Sequence, residues 1–166
     1  VKGFSRIETA WEESDQRRYW VPCAHCGEYQ ILRWAQVVWP EGKPAEAVYQ
    51  CEFCKASMDD ADKLRMIREG EWRAEGESHG VAGFHVNELY SPWRRFGEIA
   101  CDFLEAKRGG PETLKTWINT SLGETWEEQG DSGSVLVENR HRVVVGELVG
   151  VQKEAVDLLV VETDKR

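Results

Sequence analysis

A chain of 166 residues, of which 41% are apolar and 31% charged, is long enough for one ordinary domain or two small ones and apolar enough to fold. Its formal net charge of −9 argues against a free-standing, non-specific nucleic-acid binder, because such proteins usually carry a basic face. No signal peptide and no apolar run long enough to span a membrane is visible, so we expect a cytoplasmic protein in a reducing environment, with no membrane partner.

The N-terminal residues predict one short amphipathic helix, since Ile7, Ala10 and Trp11 repeat at helical spacing. The sequence starts without a helix cap or an initiator Met, and residues 1–7 have the character of a continuation. We therefore expect the chain to be a piece of a larger protein.

Two Cys-x-x-Cys pairs are the strongest signal in the chain. Cys23 and Cys26 form the first pair, and Cys51 and Cys54 form the second. Four thiolates at this spacing can close a tetrahedron around one soft divalent metal, with each pair holding the ion from a tight turn. The pattern resembles a four-cysteine zinc ribbon and predicts a structural Zn²⁺ site made by all four cysteines.

The segments around the pairs have the order that a ribbon needs. Strand-forming residues 16–22 run into the first pair, residues 29–34 predict a second strand, and residues 48–50 predict a third strand before the second pair. Gly27 follows the first turn, where a positive φ is required, and Lys55 occupies the equivalent place in the second turn. A positive φ at a lysine costs roughly 1 kcal/mol, against a metal-binding energy of about 10 kcal/mol or more.

Other uses of the cysteines are disfavoured but stay open. Iron of the rubredoxin type takes the same four ligands, whereas a catalytic zinc needs an open position that four thiolates do not leave. Two disulfides would need an oxidising compartment. His25 is expected to be an exposed residue of the first turn and not a ligand, and Cys101 a buried apolar residue of a helix.

Three helices are predicted after the ribbon. Residues 57–60 carry a capping signature for a helix that ends at about Glu69. Ser91-Pro92 supplies an N-cap and a first helical proline for a second helix, which reaches residues 107–108. A third helix is expected over residues 111–123, and the last two helices should pack as an antiparallel hairpin.

Shorter signals complete the division of the chain. Residues 71–74 and 81–86 predict two strands joined by a turn, and residues 131–134 predict a linker. Residues 134–145 and 157–163 predict further strands. The sequence thus predicts an α+β fold: a four-cysteine zinc-ribbon β-subdomain, then a helical-hairpin connector and a few C-terminal strands.

Arginines that lie beside aromatic residues form a candidate DNA-facing strip. Charge combined with base stacking suits nucleic-acid binding. Ordinary surface arginines beside core aromatics explain the same pattern and are the favoured interpretation. The strip consists of Arg17, Arg18, Arg33, Arg94 and Arg95, interleaved with Tyr19, Trp20, Trp34 and Trp93.

Several segments of the chain carry a family resemblance. Besides the two cysteine pairs they are Lys2-Gly-Phe-Ser-Arg-Ile7, Asp15-Gln-Arg-Arg-Tyr-Trp-Val-Pro-Cys23, Gly83-Phe-His-Val-Asn87, Leu89-Tyr-Ser-Pro-Trp93 and Asn119-Thr-Ser-Leu-Gly-Glu-Thr-Trp-Glu-Glu128. The last of these is the most specific, and the Leu-Tyr-Ser-Pro-Trp block is next. Together they resemble the large terminase subunit of tailed phages and prophages, in its lambda-type branch.

The resemblance implies a parent protein with an N-terminal ATPase motor and a C-terminal nuclease of RNase-H-like fold. That family cuts concatemeric genomic DNA and drives it through a portal into a procapsid in the bacterial host cytoplasm. The implied partners are DNA, the terminase small subunit, the portal, the procapsid and further copies of the same chain. The implied division is the end of an ATPase-like region (1–16), the zinc ribbon (17–56), an α/β helical connector (57–130) and a linker leading to the first nuclease strands (131–166).

Two features limit what the resemblance transfers. No Gly-x-x-x-x-Gly-Lys-Ser/Thr phosphate loop occurs in the sequence, so we do not expect ATP hydrolysis by this chain itself. The family's first nuclease ligand ends a strand of the form Leu-Leu-x-x-x-x-Asp, which residues 158–164 fit. By resemblance Asp164 would lie at a site for Mg²⁺ or Mn²⁺ that is completed elsewhere. A solvated terminal aspartate is the alternative.

Two functions of different classes follow from these patterns. The first is a fragment of a terminase large subunit, acting as a metal-stapled connector in viral DNA packaging. The alternative is a stand-alone zinc-ribbon adaptor that binds protein or nucleic acid without catalysis. A complete small nuclease is a third hypothesis, and DNA nicking with magnesium or manganese would test it.

Overall fold

The computed structural model describes residues 6–126, which form two small β-sheets and four α-helices, in agreement with the α+β class predicted from the sequence. The predicted linker at 131–134, the strands at 134–145 and 157–163 and Asp164 lie outside the described residues. None of the helices between residues 6 and 126 has the length and apolar character needed to cross a membrane. The helices are α1 (Arg6–Glu12), α2 (Asp60–Arg68), α3 (Phe96–Arg108) and α4 (Pro111–Trp117). The strands are β1 (Arg17–Pro22), β2 (Tyr29–Gln30), β3 (Val37–Val38), β4 (Val48–Gln50), β5 (Ser57–Met58), β6 (Glu71–Arg73) and β7 (Phe84–His85).

The strand β1 organises the first sheet, since three other strands pair with it. Strands β2 and β6 lie antiparallel to β1 on its two edges, with Tyr19 paired to Trp72. Strand β7 runs parallel to β1. The strands predicted at 71–74 and 81–86 are therefore present as β6 and the shorter β7, but each pairs with β1 and not with the other.

The second sheet consists of β3, β4 and β5, with β4 in the middle. Val37 pairs with Tyr49, which in turn pairs with Met58. Each cysteine pair lies between two antiparallel strands, the first between β1 and β2 and the second between β4 and β5. Within residues 6–126 no backbone pairing joins the two sheets, so side chains hold them together.

The strand predicted at 29–34 is shorter than expected and ends at Gln30. Beyond it, side chains take the place of a strand partner. The N–H of Leu32 donates to the Tyr90 hydroxyl at 2.8 Å, and the Leu32 carbonyl accepts from the Asn87 amide at 2.8 Å. The Tyr49 hydroxyl bonds the backbone on both sides of Leu32, at 3.1 Å in each case.

Helix α2 begins where the sequence predicts a cap. Asp59 is the N-cap, and its carboxylate accepts the N–H groups of Ala61 and Asp62 at 2.9 Å each. The helix ends at Arg68, with Glu69 as its C-cap, one residue before the predicted end. Local capping chemistry is therefore sufficient to define this element.

Helix α3 begins at Phe96, so the predicted start at Ser91-Pro92 is wrong. Helix α2 holds the preceding loop: the Asp60 carboxylate accepts the Phe96 N–H at 2.9 Å, and the Lys63 ammonium donates to the Arg94 carbonyl. Lys63 is 1% exposed and lies 4.5 Å from the centre of the Phe96 ring. The loop stays outside the helix because α2 occupies the backbone groups that an earlier helical turn would use.

Helices α3 and α4 pack against each other, as predicted, through an aromatic cluster of Trp34, Phe103 and Trp117. The ring centres of this cluster lie 4.9 to 5.1 Å apart. A π-helical stretch continues α4 to Leu122, and Gly123 ends it with φ 65°, as the sequence predicts. Cys101, which was expected to be buried, is half-buried.

Gly97 provides a test of the packing between α3 and the loop before β4. An added Cβ at residue 97 would meet the carbonyl oxygen of Ala45 and lie 2.7 Å from its carbonyl carbon. A glycine-to-alanine change inside a helix normally stabilises by about 0.5–1 kcal/mol. Here we expect Gly97→Ala to lower the free energy of unfolding by about 1–3 kcal/mol, since the backbone cannot move aside without disturbing the core.

Urea unfolding followed by tryptophan fluorescence measures this change. Glu105→Ala, on the exposed side of α3, is the matched control and should leave stability nearly unchanged. A Gly97→Ala protein that is more stable than the natural sequence would contradict the contact.

Candidate metal centre

The four cysteines of the two pairs converge on one point. Their sulfurs lie within 4.8 Å of one another, with Cys23 3.8 Å from Cys54 and Cys26 3.8 Å from Cys51. A disulfide would bring two sulfurs to about 2.05 Å, and all four cysteines are free. Thiolates that lie about 2.3 Å from a tetrahedral ion are about 3.8 Å apart. The arrangement could therefore hold one metal ion.

The first turn is folded by its own backbone. The Cys23 N–H donates to the Glu28 carbonyl at 2.9 Å, and the Gly27 N–H donates to the Cys23 carbonyl at 3.0 Å. The His25 N–H points at the Cys23 sulfur, 3.4 Å away. Gly27 has φ 76°, which confirms the predicted need for glycine at this position.

The second turn repeats this pattern almost bond for bond. The Cys51 N–H donates to the Ala56 carbonyl at 3.0 Å, and the Lys55 N–H donates to the Cys51 carbonyl at 3.2 Å. The Phe53 N–H lies 3.4 Å from the Cys51 sulfur. Lys55 has φ 62°, the left-handed conformation that the sequence comparison of the two turns predicts. Its ammonium donates to the Glu52 carbonyl at 2.8 Å, which offsets part of the strain.

Half of the sulfur cluster faces the core and half faces solvent. Cys23 and Cys51 are buried, whereas Cys26 and Cys54 are exposed. Burial raises the pKa of the Cys23 thiol to about 12. Burial also opposes ionisation of Cys51, but the N–H groups of Cys54 and Phe53, together with the thiols of Cys23 and Cys54, outweigh it and lower the pKa of Cys51 to about 7. Metal binds cysteine as the thiolate, so metal binding would release protons from the thiols of the cluster.

Two neighbours of the sulfurs are not identifiable from the sequence. Gln30, 1% exposed on β2, places its amide nitrogen 3.6 Å from the Cys51 sulfur. The Met58 sulfur lies 3.6 Å from the Cys23 sulfur. Each neighbour is distant along the chain from the cysteine that it contacts, and alternation along a strand indicates at most that a residue faces inward.

His25 is not a member of the sulfur cluster, in agreement with its predicted place on an exposed turn. Its side chain is half-exposed, and its Nε2 lies 3.9 Å from a carboxylate oxygen of Asp62 on α2. Arg65, also on α2, donates to the Ala24 carbonyl at 3.3 Å. The helix therefore supports the first turn from outside the cluster.

The predicted basic strip is largely neutralised. Four of its five arginines form ion pairs with carboxylates. The pairs are Arg17–Asp15 at 2.8 Å, Arg18–Glu75 at 3.1 Å, Arg33–Glu52 at 3.2 Å and Arg94–Glu88 at 3.0 Å, and Arg94 also pairs with Asp102. The favoured interpretation, paired surface arginines beside aromatic residues, is the one that these contacts support.

Metal content tests the cluster directly. Purified protein should carry one metal ion per chain by elemental analysis, and chelation should abolish much of its folded circular dichroism signal. Cys54→Ser should reduce bound metal to well below one ion per chain, because it removes one of four ligands. Cys101→Ser, which changes a cysteine of α3 outside the cluster, should leave metal content unchanged. Full folding with no bound metal would refute the site.

Comparison with known proteins gives the family. The family model described as "Phage terminase large subunit gpA, ATPase domain" matches residues 1–72, and that described as "Terminase large subunit gpA, endonuclease domain" matches residues 81–157. The terminase large subunit of Enterobacteria phage P21 is 36% identical over a match that covers 77% of this chain and 24% of that protein. The terminase large subunit of Escherichia phage lambda is 32% identical, with 76% and 23% covered. No solved structure matches the chain.

The chain thus spans about a quarter of the length of the curated relatives that it matches. The ATPase-domain match precedes the endonuclease-domain match along the chain, and the residues between the two matches, 73–80, lie at the end of β6 and in the segment before β7. Both relatives are terminase large subunits, as the resemblance of the sequence segments predicts. With the two domain matches and the two relatives in agreement, the chain belongs to the lambda-type family of terminase large subunits.

Proposed function

We propose that this chain is the connector between the motor and the nuclease of a phage DNA-packaging terminase. A structural Zn²⁺ in a four-cysteine ribbon would cross-link this connector. One observation carries the proposal. Residues matched to the ATPase domain and residues matched to the endonuclease domain share one hydrogen-bonded core. A connector built in this way would fix the end of the one region to the start of the other.

Tyr90 forms the central contact between the two matched regions. Its hydroxyl donates to the Tyr19 carbonyl at 2.6 Å and accepts the Leu32 N–H at 2.8 Å. Burial raises the pKa of Tyr90 well above its ordinary value, so the hydroxyl keeps its proton and can serve as donor and acceptor together. Asn87 adds a third bond to the same strand by donating to the Leu32 carbonyl.

Two further sets of hydrogen bonds join the ATPase-matched and endonuclease-matched regions. The buried Asp15 carboxylate accepts the Gly83 N–H at 3.1 Å, and the Gly83 carbonyl accepts the Arg17 N–H at 2.8 Å. The Arg17 guanidinium lowers the pKa of Asp15, which keeps this acceptor charged. Asp60 and Lys63 of α2 hold the loop before α3 in a comparable way. Three separate sets of bonds therefore cross between the matched regions.

Zinc suits the sulfur cluster on chemical grounds. Tetrahedral sites of four thiolates take zinc or iron, and they leave no open coordination position for catalysis. A bound ion would cross-link the turn of the first sheet to the turn of the second, which share no backbone pairing among the described residues. Its binding energy, about 10 kcal/mol or more, would exceed the roughly 1 kcal/mol cost of the left-handed Lys55.

The family gives the wider role that we propose for the parent protein. That role is ATP-driven translocation and cleavage of phage DNA, with DNA, the small subunit, the portal and the procapsid as partners and with self-association of the large subunit. A nuclease site for Mg²⁺ or Mn²⁺, with Asp164 as a proposed ligand, would involve residues outside 6–126. The match to two domains of one protein favours the connector over a stand-alone adaptor. The division at residues 16, 56 and 130 stays a prediction.

Tyr90→Phe tests the connector. The substitution leaves the Leu32 N–H and the Tyr19 carbonyl without their shared partner, which should cost about 1–3 kcal/mol of unfolding free energy. Because the bonded groups lie in the ribbon side of the core, metal release to a chelator should accelerate along with thermal unfolding. Both are measured on the same sample, by chelator absorbance and by tryptophan fluorescence.

Tyr29→Phe is the matched control, since within residues 6–126 the Tyr29 hydroxyl makes only an exposed, 3.4 Å bond to the Glu69 carbonyl. It should change neither measurement appreciably. If Tyr90→Phe changed neither the unfolding temperature nor the rate of metal release, the Tyr90 bonds would not couple the two matched regions and the connector proposal would fail.

A further inference from the structure

Gln30 occupies an unusual place for an uncharged polar residue. It lies on β2, directly after the first cysteine turn, yet its side chain reaches the second cysteine turn. Its Nε2 lies 3.6 Å from the Cys51 sulfur, and its Oε1 accepts the Glu52 N–H at 3.1 Å. The side chain is 1% exposed, so both ends of the amide are engaged in the interior.

The two contacts fix the orientation of the amide. The Glu52 N–H is a donor, so the oxygen of Gln30 must face it, and the NH₂ group is left to face the sulfur. A buried thiolate needs donors, since burial alone disfavours its charge. Cys51 receives such donors from the backbone N–H groups of Phe53 and Cys54, and Gln30 adds a side-chain donor. The amide is therefore oriented as a hydrogen-bond donor to a metal-ligating sulfur.

The position of Gln30 also matters for the fold. It belongs to the first sheet, whereas Cys51 and Glu52 directly follow β4 of the second sheet. Within residues 6–126 the two sheets share no backbone pairing. The Gln30 amide therefore bonds the strand leaving one turn to the first ligand of the other turn.

We propose that Gln30 is a positioning residue of the metal centre, which orients the Cys51 sulfur and holds the two cysteine turns together so that the ion is retained. The proposal rests on the proposed metal site. A glutamine that merely fills the core would contribute to stability in the same way but would not control how fast the ion leaves. Outer residues that orient a metal ligand change metal affinity by about 10–100-fold when they are replaced.

Two substitutions separate the contributions of the amide. Gln30→Glu keeps the shape and an oxygen for the Glu52 N–H, but it removes the donor to sulfur and adds a like charge beside the thiolates. Gln30→Met keeps the length of the side chain and removes both hydrogen bonds. Gln50→Glu and Gln50→Met are matched controls, because half-buried Gln50 precedes Cys51 and makes no hydrogen bond to a cysteine sulfur among the described residues.

The measurement is the rate at which zinc-loaded protein releases its ion to a chromophoric chelator. The absorption of the cobalt-loaded protein reports tetrahedral thiolate ligation and shows that the variant is folded. We expect both Gln30 variants to release the ion about 10-fold or more faster than the natural protein, with Gln30→Glu the faster of the two. The Gln50 variants should release it at nearly the natural rate.

The outcomes distinguish this inference from the proposed function. A Gln30→Glu protein that binds no metal, while Gln50→Glu does, supports the role of Gln30. Gln30 variants that release the ion as slowly as their Gln50 counterparts overturn that role and leave the metal centre standing. A natural protein that retains no metal overturns the metal centre itself.

Discussion

The backbone of residues 31–33 imposes the constraint on which the rest of the structure depends. Leu32 is fully buried, and buried N–H and carbonyl groups must find partners. Strand β2 ends at Gln30, so residues 31–33 have no strand partner within residues 6–126. Three side chains from other parts of the chain supply the hydrogen bonds instead: Tyr49 from β4, and Asn87 and Tyr90 from the segment before α3. The order of this segment therefore requires both the second sheet and the endonuclease-matched region to be in place.

The sulfur cluster lies where the turns of the two small sheets meet, and no backbone pairing joins these sheets within residues 6–126. Apart from the six-residue β1, the strands have only two or three residues, and sheets with so little pairing have marginal stability by themselves in water. Links between the two sides of the described part of the chain include the Tyr49 hydroxyl, the Gln30 amide and the convergence of the sulfurs. A metal ion would convert the last of these from a set of weak contacts into a strong cross-link. The proposed metal site and the proposed connector would thus stabilise each other, because the segment that Tyr90 and Asn87 bond begins at the residue after Gln30.

The sequence predicts the parts of this scheme that are local. Cysteine spacing, the Asp59 cap, the third helix with its Gly123 end and the left-handed turn residues all follow from chemistry within a few residues. The early end of β2 and the late start of α3 are not predictable in this way, because the deciding partners are Tyr90 and Lys63, at sequence separations of 58 and 31 residues. The contact of Gln30 with the sulfur cluster is not predictable either, since its partner Cys51 is 21 residues away along the chain.

The charge of the chain finally bears on how the proposed connector could act. The chain carries a net charge of −9, and an ion held by four thiolates would contribute about −2 at its site. Four of the five candidate arginines form ion pairs with neighbouring carboxylates. The buried Lys63 of α2 donates to the Arg94 carbonyl. Phosphate binding would have to break these pairs, which favours the proposed mechanical role for the described residues over DNA binding by them. The proposed connector would need rigidity more than affinity for DNA, and paired charges, buried hydroxyls and clustered thiols would supply that rigidity.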